Sequence, residues 1–141
     1  MPYPLNQNVH DHDLSTRFVE TTTVAASPAL AAETVIATLT IASFGDPQIV
    51  TGVDLSGWAA FTVGTSGTAV RLRIRQTNVS GTVVGDSGAL TGGVAAAALL
   101  AQDVEGFDAT PGVGVYVLTL QVTAGSAASA VSAVKLRGIL V

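Results

Sequence analysis

The chain has 141 residues, a formal net charge of -4 and no cysteine, which is the size of a single domain and leaves neither a disulfide framework nor thiolate chemistry. Charged residues make up 11% against a usual ~25%, so part of the surface is expected to lie under a partner, and the acidic balance argues against general nucleic-acid binding. No stretch approaches the ~18 uninterrupted apolar residues of a membrane helix, and the N-terminus has neither the basic start nor the apolar run of a signal peptide, so a chain made in the cytoplasm, with no membrane partner, is expected.

Residues 1–16 differ from the rest. Pro2 and Pro4 fix their φ angles and lack backbone donors, and Asn6 to Asp13 is almost wholly polar. With no period and little to bury, this segment reads as an extended N-terminal arm. Residues 17–141 read as one domain of short strands. Arg17 to Val24 is β-branched and ends at Ser27-Pro28. Thr34 to Ala42 places Val35, Ala37, Leu39 and Ile41 on one face, and Gly45-Asp46-Pro47 turns the chain. Ile49 to Leu55 and Trp58 to Val63 follow, divided by Ser56-Gly57.

The plainest strand is Ala69 to Thr77. Val70, Leu72 and Ile74 alternate with Arg71, Arg73 and Arg75, so the apolar residues point to one face and the arginines to the other. Asn78 to Gly93 is rich in Gly, Ser and Asp and reads as a hairpin and loops. Val94 to Ala101 favours helix by local propensity, but it is short and framed by Gly92-Gly93 and Gln102-Asp103, so a strand buried on both faces fits better. Val113 to Thr123 puts Tyr116, Leu118, Leu120 and Val122 together, and Ala130 to Val141 does the same for Val134, Leu136 and Leu140. About eight short strands with turn signals between them predict an all-β antiparallel sandwich or jelly roll.

The order Thr34 to Ile41, Val70 to Arg75, Val83 to Gly88, Asp108 to Gly112, Tyr116 to Val122 and a closing apolar strand resembles a small jelly-roll domain. Such domains occur in tailed-phage capsid decoration (cement) proteins, phage fibres and bacterial surface proteins, and are similar in fold to trimeric tumour-necrosis-factor-like heads. The resemblance covers about residues 17–141 and rests on strand patterns rather than chemical signatures. It implies a homotrimer. A trimer also follows from residues apolar on the second face of their strands, Val115 and Val117 in one and Ile139 and Val141 in another.

Chemical clusters are few. His10-Asp11-His12-Asp13 offers ligands that suit zinc, but nothing elsewhere completes a site and a solvated arm is the expectation, with no metal and no cofactor. Serine is plentiful without a base or a Gly-x-Ser-x-Gly elbow, so no enzyme is expected. Gly85-Asp86-Ser87-Gly88 and Gly112-Val113-Gly114 read as turns, Asn78-Val79-Ser80 as a chance sequon, and Asp103, Glu105 and Asp108 as loop acids. Three like charges in a file repel unless matched. Arg71, Arg73 and Arg75 are therefore expected either to pair across strands with acids such as Asp54, Glu105 or Asp108, the ordinary state of a sheet face, or to fork onto a partner's carboxylates.

The resemblance makes the expected role a non-enzymatic virion protein, a trimeric decoration protein on the outer capsid surface bound to the major capsid protein of a phage shell. Its contacts would be Tyr3, Leu5, His10 and His12 of the arm and the three arginines. The alternative is a receptor- or glycan-binding head of a phage fibre or bacterial surface protein, for which Trp58 or Tyr116 in solvent would speak.

Overall fold

The computed structural model describes residues 18–22, 32–42, 50–62, 69–91, 99–111, 114–125 and 130–141. They form eight strands, β1 (Phe18–Thr21), β2 (Glu33–Thr40), β3 (Val53–Thr62), β4 (Ala69–Gln76), β5 (Val83–Thr91), β6 (Leu99–Asp108), β7 (Val115–Ala124) and β8 (Ala130–Leu140). No helix occurs among the described residues. All pairings are antiparallel and run in the order β1-β8-β3-β6-β5-β4-β7-β2. Between β5 and β6 the ladder narrows to one pair, Gly85 with Gly106. That seam separates two four-stranded sheets, β1-β8-β3-β6 and β5-β4-β7-β2, and only the β4–β5 hairpin keeps consecutive strands paired side by side within one of them. This is the jelly roll, with partners nested as β4–β5, β3–β6, β2–β7 and β1–β8.

The two sheets pack face to face because each strand turns its apolar alternates inward. Val70, Leu72 and Ile74 of β4, Tyr116, Leu118, Leu120 and Val122 of β7, and Val134, Leu136 and Leu140 of β8 all lie in one buried cluster. Contact is close at two glycines. A Cβ on Gly57 of β3 would sit 2.7 Å from Leu118 Cδ1 across the sandwich, and one on Gly138 of β8 would sit 3.1 Å from Leu39 Cδ2. Val141 continues the pairing past β8, donating to Gly52 O and accepting from Thr51 N.

Four local expectations are corrected. Strand β3 runs unbroken through Ser56-Gly57; Gly57 is there for close packing, not for a turn. In β2 a bulge between Val35 and Ala37 inserts one residue, so Ile36 joins Ala37 in the core while Val35 is only half-buried. Gly85-Asp86-Ser87-Gly88 lies inside β5, at a register shift opposite Arg71 and Arg73, with Gly88 at φ 71°. Asp103 and Glu105 are exposed alternates of a ten-residue strand β6 and not loop residues. The arm of residues 1–16, with Tyr3, Leu5, His10 and His12, and the segment 94–98 lie outside the described residues.

Candidate functional site

The outer face of β5-β4-β7-β2 is where the arginines gather. The register sets Arg71 opposite Gln121, Arg73 opposite Thr119 and Arg75 opposite Val117 on β7, with Glu33 of β2 facing Gln121 from the other side. Asp86 of β5 lies directly across from Arg73. Arg71 forks onto Asp86, its Nε donating to Oδ1 at 2.7 Å and its Nη2 to Oδ2. Arg73 Nη1 donates to Glu33 Oε2 at 2.8 Å and to Gln121 Oε1 at 3.0 Å, and its Nε reaches Asp86 Oδ2 at 3.2 Å. Arg75 closes a second fork on Glu33 at 2.6 and 2.8 Å and donates to Gly81 O at 2.8 Å. Thr119 Oγ1 donates to Glu33 Oε1 at 2.6 Å.

The row is thus paired across strands, as one expectation held, but through Glu33 and Asp86. Asp54, Glu105 and Asp108 belong to the other sheet. The Glu33 end of the network is largely withdrawn from water, with the Arg73 and Glu33 side chains 15% and 13% exposed and Thr119 beneath them fully buried, whereas the Arg71–Asp86 end stays 35% and 29% exposed. Arg71's fork holds Asp86 down at about 2 against the opposing effect of partial burial. Burial works against ionising Glu33, yet hydrogen bonds from Arg75 and Thr119, with the charges of Arg75 and Arg73, outweigh it and place the carboxyl below its ordinary value. Among the described residues, no group of three or more His, Cys, Asp or Glu gathers as a metal site.

A second polar cluster plugs one end of the sandwich. Asp108, 3% exposed, accepts from Gln76 Nε2 at 2.7 Å, Tyr116 Oη at 2.8 Å and Thr110 N at 3.0 Å. Burial raises this carboxyl and the hydrogen bonds bring it back below its ordinary value, while burial and then Asp108 push the Tyr116 phenol up. The buried hydroxyl of Tyr116 is the one signal by which sequence could have announced this cluster, since a buried tyrosine needs a partner for its O–H.

The residues expected to share a trimer contact are not on one face. Val115 and Val117 belong to β7 and point to the arginine side; Ile139 belongs to β8 in the opposite sheet and Val141 follows it. Val117 is 3% exposed within the single chain, so it offers no free surface to a second one. Val115 and Ile139 are half-buried, and Val141 is exposed.

The remaining face, the outer side of β1-β8-β3-β6, is more open. Trp58 is 39% exposed there, between Asp103 on β6 and Lys135 on β8. One step along, Ser56 lies between Glu105 and Arg137, and next Asp54 lies between Phe107 and Ile139. Asp54, Leu55, Ser56, Glu105, Arg137 and Ile139 line a hollow of about 270 Å³.

No protein-family model matches the chain, and no curated protein matches it. Solved structures do. The infectious bursal disease virus VP2 subviral particle aligns with a TM-score of 0.55 at 15% identity over 88% of this chain and 33% of that one. The structure of the Gx strain of infectious bursal disease virus gives 0.53 at 15% identity, with the same coverage. FlhE aligns at 0.48 with 12% identity over 87% of this chain and 95% of that one. The chain therefore spans about a third of the viral chains it matches, and what the likeness establishes is a shared all-β sandwich fold.

Proposed function

We propose that this chain is a non-enzymatic structural protein of a virion, a homotrimeric decoration protein that sits on the outside of a phage capsid, binds its major capsid protein and stiffens the shell. The observation that carries the reading is the fold: a jelly roll whose strand path follows part of a viral capsid protein over 88% of this chain. The low content of charge, 11%, adds to it, because a surface so sparing in charge suits a protein covered by neighbours. The arginine row already pairs with Glu33 and Asp86 inside the chain, which makes the arm and the open sheet face the stronger candidates for the anchor. The test is to add the purified chain to particles that lack it and measure occupancy by electron microscopy and heat release of the genome, with light scattering behind a sizing column for trimer mass. Saturable occupancy with a higher rupture temperature is expected. A monomer that leaves particles bare overturns the reading.

The second reading, a glycan- or receptor-binding head, is favoured by one observation. Trp58 stands in solvent, although on strand β3 rather than on a tip loop; Tyr116 is buried and contributes nothing to it.

A further inference from the structure

We propose that the outer face of the β1-β8-β3-β6 sheet is a glycan-binding site, taking one neutral pyranose ring in the hollow between Asp54, Glu105 and Arg137 and stacking the adjoining ring on Trp58. The inference deepens the second reading given above and is independent of whether the chain is part of a virion.

The argument starts from the lining. Carboxylates only accept hydrogen bonds and a guanidinium only donates them. Asp54 and Glu105 thus stand as acceptors around Arg137, whose Nε donates to Ser56 Oγ at 3.1 Å. A sugar hydroxyl does both, giving its proton to one neighbour and taking one from another, and vicinal hydroxyls repeat that need at the spacing of adjacent side chains. Other ligand classes fit worse. A small anion meets two carboxylates. A metal cation meets a guanidinium and lacks a third acidic or imidazole ligand among the described residues. An apolar ligand finds three ionic side chains in a hollow of six residues.

Size and spacing narrow the class. At about 270 Å³ the hollow falls just below the ~300 Å³ at which small-molecule sites begin, which is room for one ring rather than a long chain. Trp58 is two residues from Ser56 on the same face of β3, a separation of ~6.5–7 Å along a strand. An adjoining ring of a bound oligosaccharide lies within that reach. The indole is large and flat, with an apolar face that matches the C–H side of a pyranose. Asp103 and Lys135 flank it in register, Asp103 an acceptor for hydroxyls at that ring's edge and Lys135, which also pairs with Glu20 at 3.6 Å and is half exposed, a donor with protons to spare. Among the described residues of the opposite sheet no tryptophan is present, and its arginines close on Glu33 and Asp86.

The chain has a single tryptophan, so tryptophan emission, excited selectively over the tyrosines, reports this site alone. Titration of the whole protein with lactose, maltose, cellobiose and N,N'-diacetylchitobiose should give, for at least one of them, a saturable change in emission with a dissociation constant on the order of 1 mM. Glu105→Gln keeps the reporter and the shape but removes an acceptor; binding should weaken about tenfold with unchanged circular dichroism. Trp58→Ala, followed by saturation-transfer NMR, should abolish transfer from the protein to the sugar. No saturable change with any of the four sugars overturns the proposal. So does an emission change that follows protein concentration without sugar, which would assign the face to a second copy of the chain. Failure to decorate particles would leave the site proposal untouched.

Discussion

Glu33 is where the arginine face is most vulnerable. Replacing it with glutamine keeps the size of the side chain and removes the charge on which Arg73 and Arg75 both close. Removing one partner of a fully buried ion pair costs ~3–5 kcal/mol, whereas an exposed pair is worth ~0–1 kcal/mol. Here the side chains are 13–16% exposed, which points toward the buried limit. Two things soften the loss: Arg73 retains Asp86 and Gln121, and Arg75 retains the Gly81 carbonyl. A cost of about 2 kcal/mol follows, which for a chain of this size lowers the midpoint of thermal unfolding by about 7 °C. Urea unfolding monitored by circular dichroism measures it, with the slope unchanged if only the native state is touched. A cost under about 0.5 kcal/mol is that of a solvated surface pair and would refute the claim that the Glu33 end is withdrawn from water.

Three further outcomes are expected. Asp86, Glu33 and Asp108 all titrate below their ordinary values in the folded chain, Asp86 at about 2, so the unfolded chain takes up protons first; stability is fully present above the ordinary carboxylate range of about 4 and drains away as the pH falls toward about 2. Thermal melts from pH 7 to 2.5 check this, and a flat profile contradicts it. Gly85→Ala should destabilise more than Gly57→Ala, because its new Cβ would meet the Glu105 carbonyl oxygen at 2.7 Å, rigid backbone, whereas at Gly57 it meets a movable Leu118 methyl; equal costs in urea unfolding would contradict this order. Tyr116→Phe removes a hydrogen bond to a buried carboxylate and should cost ~1.5–3 kcal/mol; a neutral result would mean Asp108 is held by Gln76 and Thr110 alone.

What could be read from the sequence was whatever depends on alternation. Val70, Leu72 and Ile74 against three arginines, and Tyr116 through Val122, declare their inner faces without help, and these residues are buried as expected. What escaped depends on register between strands far apart in the chain. The partners of the arginines follow from bulges at Val35/Ala37 and Arg71/Arg73, each of which shifts the facing positions, and no local pattern announces a bulge. Ser56-Gly57 and Gly85 to Gly88 misled for one shared reason. Glycine beside serine is a turn signal in isolation, but here glycine serves close approach between layers at Gly57 and a left-handed residue within a strand at Gly88.

The nested pairing also governs how the chain can reach this fold. Partners widen outward from the turn at residues 77–82: β4 with β5, then β3 with β6, β2 with β7, and last β1 with β8. Only the first pair is local, and each later one closes a longer loop at a higher entropic cost. Folding that begins at the β4–β5 hairpin and zips toward both ends is the path of least entropy, and it is slow, as for other chains dominated by distant contacts. On the ribosome β1, β2 and β3 emerge before β8, β7 and β6, so they must wait for their partners. Until β8 arrives, β1 and one edge of β3 are unpaired strands, the period in which the nascent chain most needs protection from pairing with its neighbours.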